Sequence, residues 1–279
     1  MSGLAIEGLC VSIGDRDVLR AVDLHAEPGS WTGLVGESGS GKSLTALASL
    51  GLLPRVARVT AGRILLGGDE ILTADRDRTA TVRGSGIAMI FQSPRAALNP
   101  VLRVGRQVER VLQRNGQHRG LTRRCVELLG AVGLPEPGQV ARLYPHELSG
   151  GMCQRVMIAM GIASAPQILI ADEPTTALDV TVQADILDLL DDLRSRTGLG
   201  LLLISHDMSV VAERCEWISV MRQGAIVETG ASRTVINSPT HPFTAELVRD
   251  LTHSPETRGW PAQSSSARSA GDRAQEADR

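Results

Sequence analysis

Short apolar runs bounded by glycine, proline and charged residues open the chain. "LAIEGLCVSI", "VLRAVDLHA", "WTGLV", "GRILLGG" and "GIAMIF" have the length and composition of strands, so the beginning is predicted to be β-rich. From Arg103 to about Ala165 the period changes. "RVGRQVERVLQRNG", "TRRCVELLGAVGL" and "SGGMCQRVMIAMGIASA" place apolar residues at helical spacing, broken by Gly116, Gly133 and Pro135 to Pro137, which predicts a helical insert. Strand and helix then alternate: "QILIAD" strand, "TVQADILDLLDDLRSR" helix, "GLLLIS" strand, "DMSVVAERC" helix, and a hairpin in "WISVMRQGAIVETG" turning at Gln223-Gly224. Such alternation predicts an α/β fold with a covered, mostly parallel sheet. The segment from about 254 to 279 is polar, charged and aperiodic, and is expected to be a disordered tail.

The chemistry begins at "LVGESGSGKS". The stretch matches G-x-x-x-x-G-K-[ST] as Gly36, Gly41, Lys42 and Ser43, with Ser38, Gly39 and Ser40 between them. Glycines let successive backbone N–H groups turn inward around phosphate oxygens. Lysine neutralises the β and γ phosphates, and the serine hydroxyl is a ligand for Mg²⁺. A linker of the same composition would not be bracketed by a buried strand and by "SLTALASLGLL", whose Leu44, Leu47, Ala48 and Leu50 sit at helical spacing. The loop therefore ends on a helix N-terminus, which favours bound phosphate.

Composition narrows the classes. The 279 residues are 42% hydrophobic but only 2% aromatic, so the core must be aliphatic, and a net charge of −2 gives no footprint for nucleic acid. No apolar run is long enough to cross a bilayer, and the N-terminal stretch lacks the pattern of a secretory signal, so a cytosolic setting is expected. Cys10, Cys125, Cys153 and Cys215 are widely spaced and read as reduced structural thiols.

A phosphate site of this kind needs a carboxylate at the end of a neighbouring strand, and "ILIADEP" supplies one. Asp172 is placed to hold the Mg²⁺ shell and Glu173, one residue further, to act on an attacking water; adjacent carboxylates after a strand also serve as turn or N-cap residues. Between these elements "LSGGMCQR" sets Ser149, Gly150 and Gly151 at the start of a helix, a second site suited to an anion.

These motifs, with Gln92 in "IFQSP", "ALD" ending at Asp179 and His206 in "ISHD", resemble the nucleotide-binding subunit of an ATP-binding cassette (ABC) transporter. The resemblance implies a P-loop NTPase (RecA-like) core at 1–95 and 166–235, carrying an N-terminal antiparallel β subdomain. It also implies an inserted helical subdomain at about 96–165 and a C-terminal extension at 236–253. It implies ATP and Mg²⁺ as ligands, and a head-to-tail dimer in which Ser149, Gly150 and Gly151 of one cassette cap the γ-phosphate on the P-loop of the other, with Asp179 at the seam. Gln92 would reach Mg²⁺ and the water while sensing the membrane subunit, and His206 would contact the γ-phosphate and Glu173. Two features depart from the family: Ile13 stands where an adenine-stacking aromatic is usual, and Met152 where glutamine is commoner in the signature.

Finer likeness runs through "FQSPRAALNP", "YPHELSGGMCQRVMIAMGIA", "IADEPTTALDVTVQADILDLL" and "SPTHPFTAELV", which are similar to the peptide and nickel uptake subfamily of bacterial importers. The lack of a cysteine after Cys215, with "SGSGKSLTALASLGLLPRVARVTAGRILLGG", leans towards the short nickel-type subunits, while dipeptide, oligopeptide, nickel and metal–chelate uptake all stay open. The implied partners are two transmembrane permease subunits, a second cassette (identical or related) and, indirectly, an extracytoplasmic solute-binding protein, at the cytoplasmic face of the inner membrane. A soluble ABC ATPase acting as a clamp in DNA repair or translation is the alternative class. Such proteins usually join two cassettes or insert coiled coils, and neither pattern is visible. A P-loop kinase would leave "LSGGM" unexplained.

Overall fold

The computed structural model describes residues 3–72, 82–176 and 178–253. The expected disordered tail lies outside these residues, as does Ala177.

Strands β1 (Leu4–Ile13) and β2 (Arg16–Ala26) pair antiparallel, followed by β3 (Trp31–Val35), helix α1 (Lys42–Ser49), β4 (Ala57–Leu66), the short β5 (Asp69–Glu70) and β6 (Ile87–Ile90). A helical stretch then runs through α2 (Pro94–Ala97), α3 (Val104–Arg114), α4 (Leu121–Ala131), α5 (Pro137–Val140) and α6 (Gly150–Ile162). The chain returns as β7 (Ile168–Asp172), α7 (Val180–Thr197), β8 (Gly200–Ser205), α8 (Met208–Arg214), β9 (Trp217–Arg222), β10 (Ala225–Ala231), α9 (Ser232–Asn237) and α10 (Pro242–His253). The strands form a four-stranded antiparallel sheet ordered β2-β1-β4-β5 and a six-stranded sheet ordered β10-β9-β3-β8-β7-β6. In the second, every pair but β10–β9 is parallel. This is the mixed α/β architecture of a P-loop NTPase.

The six-stranded sheet separates two cores, because successive side chains of a strand point to opposite faces. Leu169 and Ala171 of β7 and Leu201 and Leu203 of β8 join the core shared with the helical layer. Their neighbours Ile168, Ile170, Leu202 and Ile204 join the core shared with α1 and the antiparallel sheet. Both faces being covered, these strands read as continuous apolar runs rather than as alternation.

Local chemistry sets the helix starts. Ser149 accepts from Met152 N at 3.2 Å to begin α6, Asp179 accepts from Val182 N at 3.0 Å to begin α7, and Asp207 accepts from Ser209 N at 2.8 Å to begin α8. Helix α1 departs from the apolar pattern that predicts it. It ends at Ser49, and its buried face carries Lys42, Thr45, Ala46, Ala48 and Ser49, while Leu44 and Leu47 are half-buried. The hydroxyls tolerate burial because Thr45 Oγ1 donates to Gly41 O and Ser49 Oγ to Thr45 O, each at 3.0 Å. Strand β4 also begins at Ala57, ahead of the apolar "GRILLGG" that signals it, because pairing with β1 recruits the mostly exposed "ARVTA" as well.

Candidate functional site: a phosphate loop facing a held carboxylate

The loop between β3 and α1 is shaped by close approach. A Cβ at Gly36 would lie 2.0 Å from the Met221 carbonyl oxygen, and one at Gly41, which has φ +111°, would lie 2.7 Å from Leu19 Cδ2. Only glycine fits either place. Ser38 and Gly39 are exposed at the tip, and Ser40 is buried, with its carbonyl receiving Gly224 N at 2.8 Å. Lys42 is nearly inaccessible, and its Nζ donates to Gly36 O at 2.7 Å and Glu37 O at 2.9 Å. Burial lowers its pKa, and the charges of Glu173, Asp172 and Glu37 oppose the shift.

Asp172 ends β7 next to this lysine and is 5% exposed. Burial raises its pKa, with Glu173 adding to the rise and the Ser43 hydroxyl and Lys42 acting against it. Its Oδ1 is buried without a hydrogen-bond partner. An orphaned carboxylate oxygen of this kind, beside a serine hydroxyl, is a donor set that fits a hard divalent cation such as Mg²⁺.

Glu173 is the most elaborately held side chain of the site. Gln92 Nε2 donates to its Oε2 at 2.7 Å, Thr176 Oγ1 donates to the same oxygen at 2.9 Å, and His206 Nδ1 lies 3.2 Å from Oε1. Burial would raise its pKa, but hydrogen bonds from Thr176 and His206, with the charges of His206 and Lys42, carry it below the usual glutamate value. Its backbone sits at φ +47°, a region costly for a non-glycine residue, and is tied by its N–H to Ile204 O at 2.9 Å. The strained turn aims the carboxylate back over the loop. A cleft of about 490 Å³ opens there, walled by Gly41, Lys42, Ser43, Gln92 and Glu173 and closed on the far side by Asp17, Val18, Gln223 and Gly224.

The predicted residues thus fall into two groups. Gly36 to Ser43, Gln92, Asp172, Glu173 and His206 converge. Ser149, Gly150, Gly151 and Asp179 do not line this cleft; they sit together elsewhere, a Cβ on Gly150 being 3.4 Å from Leu178 and one on Gly151 being 2.8 Å from Val182. The motif reading missed Thr176, which stands in "EPTT" with no pattern to distinguish it from its neighbour. It also missed the hairpin residues Gln223 and Gly224, which reach the loop only through the pairing of distant strands.

Comparison with known proteins bears on the family and the fold. The family model described as ABC transporter matches residues 19–176, more than half of the chain. The chain is 44% identical over 257 residues to the dipeptide transport ATP-binding protein DppD of Escherichia coli, covering 90% of this chain and 79% of that one. The same name and identity recur in Haemophilus influenzae, with 78% of that protein covered. Among solved structures, the ATP-binding cassette MJ0796, a dimer in a post-hydrolysis state bound to ADP and Pi, superimposes with a TM-score of 0.70 at 27% identity, covering 82% of this chain and 99% of that one.

Proposed function

This chain belongs to the ABC transporter family, and from that premise we propose that it hydrolyses ATP to energise the uptake of peptides through a bacterial membrane. The observation that carries the reading is the Glu173 carboxylate, fixed by Gln92, Thr176 and His206 opposite the Lys42 loop. The peptide assignment rests on relatives whose names are those of dipeptide transporters; nickel is not part of the proposal.

The backbone of Ser38, Gly39, Ser40 and Gly41 wraps the terminal phosphates, and Lys42 balances their charge. Ser43 and Asp172 would hold Mg²⁺, which would supply charge neutralisation to the phosphates. Glu173 is ionised at neutral pH, so it accepts a proton from the attacking water, and the three donors around it keep its oxygens aimed. Gln92 gives its N–H to Glu173, so its amide oxygen is the atom that would face the metal and the water, and His206 would contact the γ-phosphate. As the family resemblance implies, Ser149, Gly150 and Gly151 serve the nucleotide of a second cassette, identical or related, with Asp179 at the seam; their place away from this cleft fits that role. Two transmembrane permease subunits receive the motion at the cytoplasmic face of the inner membrane, and an extracytoplasmic solute-binding protein feeds them.

The test is a pull-down of tagged Glu173→Gln protein from native membranes with ATP, paired with dipeptide uptake by a deletion strain. Two multi-span proteins and a second cassette should co-purify, and wild type but not the variant should restore uptake. Recovery of soluble proteins alone, with uptake unaffected, would leave the transport reading without support.

A further inference from the structure

A second cleft, of about 520 Å³, lies at the opposite end of the central sheet. Arg83 and Ser85 come from the segment leading into β6, Arg114 and Asn115 from the end of α3, Arg124 from the first turn of α4, and Ser164 from the turn after α6. These are the amino ends of β6 and β7, whereas Gln92 and Asp172 follow or end the carboxyl ends, roughly 15 Å away at about 3.3 Å per strand residue. The two clefts share no residue.

Its charge is unbalanced. No acidic side chain lines it among the described residues, and of its three arginines only Arg124 has a carboxylate partner, sharing Glu127 with Arg123. The Nε of Arg83 is buried with no hydrogen-bond partner. The carbonyl ends of α3 and α6 account for part of this, at about half an elementary charge each. Among the described residues, three guanidinium groups against two helix ends and one shared glutamate leave roughly one positive charge on the cleft. Asn115 Nδ2 and Ser164 Oγ are in hydrogen-bond contact, tying the end of α3 to the end of α6.

We propose that this cleft is a second anion site, distinct from the nucleotide cleft, that takes a small phosphate-bearing anion. Planar guanidinium forks match phosphate oxygens bidentately, and the volume suits a small molecule. Because the walls come from both the strand side and the helical layer, an anion held between Arg83 and Arg114 also staples the two together.

The experiment is calorimetric titration of the full-length protein with inorganic diphosphate without Mg²⁺, comparing wild type, Lys42→Ala, Arg83→Gln/Arg114→Gln and the combined variant. Binding should persist in Lys42→Ala and weaken from that level by about tenfold or more in the combined variant, the loss expected for charge-assisted bonds. Retained ATP binding by the double arginine variant shows that it is folded. If Lys42→Ala alone removes all diphosphate binding, or the arginine changes leave unaltered the binding that Lys42→Ala retains, the second site does not exist, and the nucleotide cleft is untouched by that outcome.

Discussion

Gln92 and Glu173 meet at 2.7 Å although 81 positions separate them. They meet because β6 and β7 are parallel neighbours, Ile90 pairing with Ala171, so the residues just past the two strand ends emerge side by side. The resulting hydrogen bond is a consequence of register. Gln92 is exposed and Glu173 half-buried, which places the amide on the solvent side of the carboxylate, where an approaching partner can reach it.

Replacing the carboxylate while keeping its shape isolates its chemistry. Glu173→Gln is expected to bind ATP as the wild type does and to turn over roughly 10²-fold more slowly or worse, the usual contribution of a positioned base. Steady-state hydrolysis alongside equilibrium nucleotide binding measures both, and an unchanged rate would assign the base to another residue.

Thr176 acts through Glu173. Thr176→Val removes a hydrogen bond at 2.9 Å without changing shape, so turnover should fall several-fold, in line with a bond to a charged group worth about 1.5–3 kcal/mol at most, while ATP affinity stays. Because this bond holds the Glu173 carboxyl down, the acid limb of the pH–rate profile should also move to higher pH in the variant.

Lys42→Ala removes the one buried cation of the loop. ATP affinity should fall by about tenfold or more, as expected for the loss of a charge-assisted phosphate contact. Fluorescent-nucleotide titration decides this, and wild-type affinity would remove Lys42 from the phosphate site.

Gly36→Ala tests the close approach of loop and β9. The new methyl group would sit 2.0 Å from a backbone oxygen that cannot rotate away, so thermal unfolding should show a loss of about 1–3 kcal/mol, the range for overpacking. An unaltered melting temperature would mean that the loop and Met221 separate freely.

The four thiols should differ in reactivity. Burial pushes Cys125 up to about 11, raises Cys153 and pushes Cys215 further still, whereas Cys10 is only half-buried. At mildly alkaline pH iodoacetamide should label native protein at Cys10 first, with the others reacting at the rate of unfolding. Peptide mass mapping over time gives the order.

Much of this molecule is legible along the chain because its signals are local. Doubly buried strands announce themselves as apolar runs, caps such as Ser149, Asp179 and Asp207 sit beside the helices they begin, and the phosphate loop is contiguous, since one turn of backbone must supply all its N–H groups. Asp172 and Glu173 could be singled out for the same reason, each being defined by the strand before it. What pattern could not supply is everything made by register between distant segments. The polar buried face of α1 is hidden because its hydroxyls are satisfied within the helix and leave no apolar stripe. The far wall of the cleft depends on the β9–β10 hairpin folding back until Gly224 N reaches Ser40 O, 184 positions away. Thr176 became visible only once the strained turn at Glu173 brought the hydroxyl onto the carboxylate. Nor could spacing reveal that the Ser149 group sits apart from the loop: that separation is fixed by the packing of α6 on α7, elements that meet only in the tertiary fold.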